Sequence, residues 1–165
     1  MVATTDEPVV EVHPALIQHL DGCIHAWSQL VSDQRLHDPR LEITSMEIDD
    51  IRNFLRRLIL DRRLIVAIES ESIVGIATVA PDLNMLDHSG TVWNIADVWV
   101  KPSYRRQGIA RQLVKSSEKR AIRDGATEIR LQVYASNDAA SMMYGQLGYR
   151  TIIRTMRKRL DEDHL

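Results

Sequence analysis

Arg105-Arg106-Gln107-Gly108-Ile109-Ala110 follows an apolar run, Val92-Trp93-Asn94-Ile95-Ala96-Asp97-Val98-Trp99-Val100, and opens a helix-patterned segment at Gly108. A strand that feeds a basic, glycine-containing turn at a helix N-terminus is suited to hold an anion. The first backbone N–H groups of a helix have no partner within it, and the dipole there is positive. A phosphate or pyrophosphate supplies both the missing acceptors and the opposite charge. Gly108 has no Cβ, so the backbone can come close to such a group. Two familiar phosphate loops do not fit. The dinucleotide fingerprint needs three spaced glycines, and the P-loop needs Gly-Lys-Ser/Thr. By itself the stretch is also compatible with a plain strand-to-helix turn carrying solvated arginines.

A second segment bears on that choice. In Asn137-Asp138-Ala139-Ala140-Ser141-Met142-Met143-Tyr144-Gly145-Gln146-Leu147-Gly148-Tyr149, Asn137 is a natural N-cap. Ala140 and Tyr144 are four apart and share a helix face. Gly148 reads as the helix stop. Arg105-x-x-Gly108-x-Ala110 after a strand, followed by Asn137-x-x-Ala140-x-x-x-Tyr144-x-x-x-Gly148-Tyr149, resembles the two signatures of the GNAT-type N-acetyltransferase superfamily. The order of the motifs, separated by a helix and a strand, carries the resemblance. It extends over nearly the whole chain, but only Asp97–Arg111 and Asn137–Tyr149 are specific.

With 165 residues, the chain is expected to form one domain over residues 1–165, long enough to bury a core. No apolar run approaches the ~18 residues of a membrane span, and the acidic, polar N-terminus does not read as a signal peptide. Cys23 is the single cysteine, so no intrachain disulfide forms, and a cytoplasmic location is the default expectation. The histidines lack ligand spacing, and no metal is expected. The net charge of −2 is unevenly spread: Lys101–Arg123 carries a local +7, and the remainder sums to −9. A basic stretch at the proposed anion turn favours a polyanionic small molecule. Nucleic acid is the poorer reading, because the rest of the chain is acidic and no recognised nucleic-acid motif occurs.

Along the chain, Val9–Val12 reads as a strand and Pro14 as the first turn of a helix. That helix carries Leu16, Ile17, Leu20, Ile24, Trp27, Leu30 and Val31 at helical spacing. Ser32–Glu42 is polar, contains Pro39 and reads as a loop. Thr44-x-x-Glu47 is a capping box for a second helix with Ile48, Ile51, Phe54, Leu55, Leu58 and Ile59. Leu64–Glu69 and Ile73–Ala80 form a hairpin about a polar turn, and Pro81–Gly90 is a loop. Thr91–Val100 is a strand, then comes the helix from Gly108, stopped at Gly125. Glu128–Ala135 is a strand, Asn137–Leu147 a helix and Tyr149–Arg157 a final strand. The resemblance implies the GNAT fold, a mixed α/β (α+β) domain. Its central sheet is twisted and mostly antiparallel, with six to seven strands flanked by about four helices.

The resemblance also implies acetyl-CoA as co-substrate and an amine as acceptor, by direct attack in a ternary complex. Val98, Trp99 and Val100 would lie along the pantetheine arm, with main-chain groups of Val98 and Val100 pairing to it. Arg106, Gln107, Gly108, Ile109, Ala110 and Arg111 would wrap the pyrophosphate. Arg105 holds the first motif position and would contribute through its backbone or its charge. Asn137 would contact pantetheine or order its helix. Tyr144 matches the family's general acid for the departing thiolate, and the N–H of Val98 is the expected oxyanion donor.

A free alkylamine has a pKa of about 10.4 and arrives protonated, so a base is needed. Many relatives place a glutamate just before the position of Asp97, where this chain has Ala96. The base is therefore Asp97, Glu128 or ordered water. Asp97 reads equally as a structural partner, its side chain on the face opposite Ala96 because strand side chains alternate. Cys23 reads as buried and structural, and Trp93 and Trp99 as core or pocket walls. Asp33, Asp38, Glu42, Glu47, Asp49 and Asp50, with Asp82 and Asp87, would form an acidic rim attracting a cationic acceptor, or would serve solubility alone. The acceptor is a small-molecule amine or a protein amine. The alternative to catalysis is a non-catalytic acyl-CoA-binding regulatory module. Tyr149–Arg157 is an edge strand suited to pairing between subunits, which predicts a homodimer.

Overall fold

The computed structural model describes residues 9–39, 48–82 and 92–158. Five strands form one sheet in the order β1-β2-β3-β4-β5: β1 Glu11–Pro14, β2 Leu64–Glu69, β3 Ser72–Pro81, β4 Val92–Val100 and β5 Glu128–Leu131. The first four are antiparallel, and β5 joins β4 in parallel. Four helices flank them: α1 Leu20–His37, α2 Ile48–Leu60, α3 Ile109–Arg123 and α4 Asp138–Gln146. The mixed α/β architecture expected from the sequence is present. None of the helices among the described residues is long and apolar enough to cross a membrane.

Alternation along the strands divides the core. Leu64, Val66, Ile76 and Trp99 face α1 and α2, meeting Cys23, Ala26, Leu30, Leu55 and Ile59. Ile65, Ala67, Val74, Ala77 and Val100 face the other way, onto Ile109 and Leu113 of α3. Beyond them, Val79, Trp93 and Ile95 meet Val114 and Ala121 of α3 and Tyr144 of α4. Each sheet face thus has its own apolar cover, as a layered α/β domain requires. The β2–β3 hairpin turns through Ser70 (φ 46°) and Glu71 (φ 70°). Two consecutive positive φ values give the tight turn whose twist suits a hairpin.

Several expectations are corrected. Pro14 does not start a helix. It ends β1 opposite Ile65, on an edge strand where a missing N–H is tolerated. The following turn is 3-10, Ile17–His19, and α1 starts only at Leu20. The polar stretch from Ser32 is not all loop, because α1 continues to His37. Pro39 sets its end by disfavouring helical geometry at Asp38, which is extended (φ −136°, ψ 91°). The Thr44–Glu47 capping box lies outside the described residues.

Among the described residues the sheet has five strands rather than six to seven. Glu128–Ala135 is a strand only to Leu131, and Tyr149–Arg157 forms none. Residues 150–158 run without regular structure, with Ile152 68%, Ile153 75% and Met156 93% exposed. An alternating β-rich segment does not become a strand without a ladder partner and a face to bury. This one is tethered by Arg157, whose Nη1 donates to Asp38 Oδ2 at 2.9 Å.

Candidate active site

The shortening of β5 makes the site. The β4–β5 ladder runs Val92↔Glu128, Trp93↔Ile129, Asn94↔Arg130, Ile95↔Leu131, and stops. On its other side β4 stays paired to β3 as far as Val100↔Gly75. Between Thr78↔Asp97 and Val79↔Ile95 the register slips, leaving Ala96 as the extra residue of a β-bulge. A bulge bends its strand and raises the local twist. From Ala96 onward, β4 therefore presents to the β5 side an edge with no strand against it among the described residues. Val98, Trp99 and Val100 lie along that edge.

The open edge leads to the basic turn. Lys101 passes into a 3-10 turn, Pro102–Tyr104, and α3 begins at Ile109. Arg106 (φ 66°) and Gly108 (φ 81°) are both left-handed, and such curled backbone forms anion-binding concavities. Gly108 occupies the N-cap position without a side-chain cap. A Cβ built on it would meet nothing within 4 Å. The space in front of the first amides of α3 is therefore open, which fits a phosphate-sized group.

The side chains of the turn divide by what they touch. Arg106 is exposed and makes no hydrogen bond or ion pair among the described residues. Gln107 Nε2 reaches Ser103 O at 3.3 Å. Ile109 is buried against Leu113, anchoring the start of α3. Ala110 is half-buried beside that cluster. Arg111 Nη2 donates to Gln146 Oε1 of α4 at 2.6 Å, and this neutral partner leaves its charge unbalanced. Arg105 is held by two contacts within the protein. Its Nε donates to Val100 O at 2.9 Å and its Nη2 to Asp33 Oδ2 at 2.6 Å. Trp99 Nε1 donates to the same Asp33 oxygen at 3.0 Å, and its ring is buried on the α1 side.

Asp97 lies on the α1–α2 face, like Trp99 two residues on. Its Oδ2 accepts from Thr78 Oγ1 at 2.6 Å, and Thr78 is itself buried. Burial pushes the Asp97 carboxyl above its ordinary value, and the Thr78 hydrogen bond opposes that shift in part. Because of the bulge, the relation between Ala96 and Asp97 is not the simple alternation expected. The exposed Ala96 is the extra residue, and Asp97 is set by its pairing to Thr78.

Tyr144 sits on the other face, against Val79, Ile95 and Val114, with Val98 at the margin. Its ring meets Tyr149 edge-on at 5.7 Å, and its hydroxyl has no hydrogen-bond partner among the described residues. Burial raises its pKa, keeping the phenol protonated. Tyr149, by contrast, donates to Glu118 Oε1 at 2.9 Å. Asn137 Oδ1 caps α4 by accepting from Ala140 N at 3.2 Å.

Glu128 stands apart. It pairs opposite Val92, at the closed end of the β4–β5 ladder, and forms an ion pair with Arg130. The strands separate three residues further on, roughly 10 Å along the chain at ordinary strand rise. Cys23 is fully buried, and desolvation pushes its thiol up to about 12. A thiol so placed is not a nucleophile at neutral pH. The acidic rim is only partly available. Asp33 and Asp38 are engaged internally, Asp49 and Asp50 are exposed on the first turn of α2, and Glu42, Glu47 and Asp87 lie outside the described residues.

Two contacts had no sequence signal. Asp33 read as a loop carboxylate, yet it faces Trp99 and Arg105. Thr78 carries no motif and is brought to Asp97 only through the bulged register. Beside them, His37 at the end of α1 stacks on Tyr134 (centroids 5.6 Å, planes 14° apart), and its Nδ1 lies 3.1 Å from Ser136 Oγ. The last turn of α1 thereby spans from the end of β4 to the chain beyond β5, across the opening between the two strands.

Comparison with known proteins agrees with this geometry. The family model described as "Acetyltransferase (GNAT) family" matches residues 25–149. An acetyltransferase of Pectobacterium atrosepticum is 39% identical over 77 residues, 46% of this chain and 52% of the relative. An acetyltransferase of Sodalis glossinidius is 37% identical over 78 residues, 46% and 53% of the two chains. The chain thus aligns with about half the length of these curated relatives. Among solved structures, the aminoglycoside N-acetyltransferase AAC(6')-Iy in complex with CoA superposes with a TM-score of 0.74 at 17% identity, covering 95% of this chain and 98% of that one. A protein from Bacillus halodurans described as a transcriptional regulator gives a TM-score of 0.67 at 25% identity, covering 92% and 100%. With the family model spanning both motif segments and most of the sheet, the chain belongs to the acetyltransferase (GNAT) family.

Proposed function

We propose that the protein is an acetyl-CoA-dependent N-acetyltransferase acting on a primary amine in a ternary complex. The observation that carries this reading is the open edge of β4 beyond Ile95, continuous with the uncapped, open N-terminus of α3 at Gly108. An extended arm with amide groups can pair along the edge while its pyrophosphate rests on the helix start. Arg106 and Arg111 supply the balancing charge. Acetyl-CoA, when bound, supplies an activated acyl thioester.

The chain's own groups do the rest. Asp97, half-buried and ionised above its raised pKa, accepts the proton of the incoming ammonium, directly or through water. The N–H of Val98 faces the developing oxyanion. Tyr144, buried and protonated with a free hydroxyl, donates its proton to the departing sulfur. Proton acceptor and donor thus stand on opposite faces of β4, one toward the amine and one toward the thiol. The acceptor enters from the α1–α2 side. An aminoglycoside-like amine is one class to test, since AAC(6')-Iy and a soil-metagenome enzyme solved with sisomicin share the fold.

The test is thiol release from acetyl-CoA over a panel of polyamines, aminoglycosides, amino-acid amides and peptide N-termini. Acceptor-dependent release with acetylated amine in equal amount supports the reading. Acetyl-CoA binding without release for any acceptor favours the non-catalytic acyl-CoA module, which Ala96 in place of a glutamate allows. A homodimer also belongs to the proposal. Two observations favour it: Ile152, Ile153 and Met156 are exposed, and β5 has a strand on one side only among the described residues.

A further inference from the structure

We propose that Asp33 is a positioning residue for the anion turn: by holding Arg105 and Trp99 together, it fixes the turn against α1 and keeps Arg105 off the phosphates. This rests on the reading of the turn as the cofactor's pyrophosphate site. One carboxylate oxygen, Asp33 Oδ2, accepts from Trp99 Nε1 at 3.0 Å and from Arg105 Nη2 at 2.6 Å. Arg105 Nε donates in turn to Val100 O at 2.9 Å. Three parts of the site are thereby joined: the last residues of β4, the turn after it, and the helix that spans toward Tyr134 and Ser136.

The chemistry of the donors suits a brace more than a ligand. A guanidinium has donors in a fixed planar fork, and here two of its nitrogens point to Val100 and Asp33. A carboxylate beside the arginine cancels the charge a phosphate would seek. The turn still presents Arg106 and Arg111 to an anion. Bracing lowers the conformational freedom the turn must give up on binding, and preorganisation of this kind appears as affinity.

The experiment is calorimetric titration of the full chain with coenzyme A. Wild type is compared with Asp33→Ala, Asp33→Asn, Arg105→Ala and the double variant Asp33→Ala/Arg105→Ala. Asp21→Ala serves as a control, since it breaks an exposed pair between α1 and α2, Asp21–Arg52 at 2.8 Å. The proposal expects Kd to rise about tenfold in Asp33→Ala and less in Asp33→Asn, which keeps an acceptor oxygen. Arg105→Ala should match Asp33→Ala, the double variant should be no worse than either single one, and the control should be unchanged. In turnover, KM for acetyl-CoA should rise while kcat at saturation stays within about twofold. Kd unchanged in both Asp33 variants overturns the proposal. Tighter binding in Asp33→Ala also overturns it, since Arg105 would then be a phosphate ligand held in check. If Asp33→Ala does not fold, Asp33→Asn decides alone. Failure of wild type to bind coenzyme A would instead overturn the reading of the turn itself.

Discussion

In the proposed mechanism, Tyr144 and Asp97 put burial to opposite uses. Desolvation raises the pKa of both. For the phenol this keeps the proton in place until a stronger acceptor forms beside it. For the carboxylate it raises basicity toward an ammonium. Tyr144→Phe removes only the unpartnered hydroxyl, so the ring stays packed against Tyr149. The expected result is a fall in kcat of about 100-fold or more, the usual scale for a general acid, with coenzyme A affinity unchanged by titration. The pH dependence follows from Asp97. A base acts ionised, so kcat/KM should rise with pH through a midpoint above the ordinary carboxylate value. Thr78 donates to the ionised form and holds that midpoint down. Thr78→Val should therefore move the acidic limb to higher pH and leave the plateau intact, while Thr78→Ser restores it. The pH profiles of the two variants, beside Asp97→Asn, check this. A wild-type limb in Thr78→Val, with the limb lost in Asp97→Asn, would remove Thr78 from the account.

At the scale of elements, the site is a consequence of where strands part and where a helix crosses. The motif residues and their helices were legible in the sequence because caps, glycine stops and apolar spacing are local. Gly108, Gly125 and Gly148 each stand just outside a helix with positive φ, as their spacing implied. The bulge at Ala96 was not legible, since register depends on both strands. Neither were the short β5 and the missing final strand. Composition shows that Tyr149–Arg157 is β-rich, but whether a partner edge is available is a tertiary matter. Asp33 was misread for a related reason: a polar run looked like a loop until Pro39 proved to set the helix end. The close seat of α1 on the sheet gives a prediction at this scale. A Cβ on Gly22 would stand 2.7 Å from Ile73 Cγ1, near that side chain's root. Gly22→Ala should lower stability by about 1–3 kcal/mol, despite alanine's better helix propensity, as read by urea unfolding. An unchanged or raised midpoint would mean that α1 is free to move off β3.

Across the whole molecule, the two faces of the sheet are covered by different helices. α3 and α4 cover the side holding Tyr144, with arginines at the rim. α1 and α2 cover the side holding Asp97, and the exposed residues of α2 are mixed in charge, Asp49 and Asp50 with Arg52, Arg56 and Arg57. The exposed segment 150–158 bears on assembly. If it pairs between copies, the protein sediments as a dimer, and removal of residues 150–165 yields a monomer. Sedimentation of the intact chain as a monomer at micromolar concentration would end the homodimer proposal.

The proposed function stands on acetyl-CoA binding along the open edge of β4 and at the turn of Gly108. Thermal unfolding with and without acetyl-CoA, for wild type and Gly108→Glu, tests it most directly. A side chain and negative charge at residue 108 would occupy the open space in front of α3. Ligand at about 100 times its Kd adds about 2.7 kcal/mol to a protein that binds it only when folded, a rise of roughly 5–11 °C for a domain of this size. The account predicts that rise in wild type and none in a folded Gly108→Glu. A folded wild type whose unfolding temperature does not move, or a Gly108→Glu that rises equally, would contradict it.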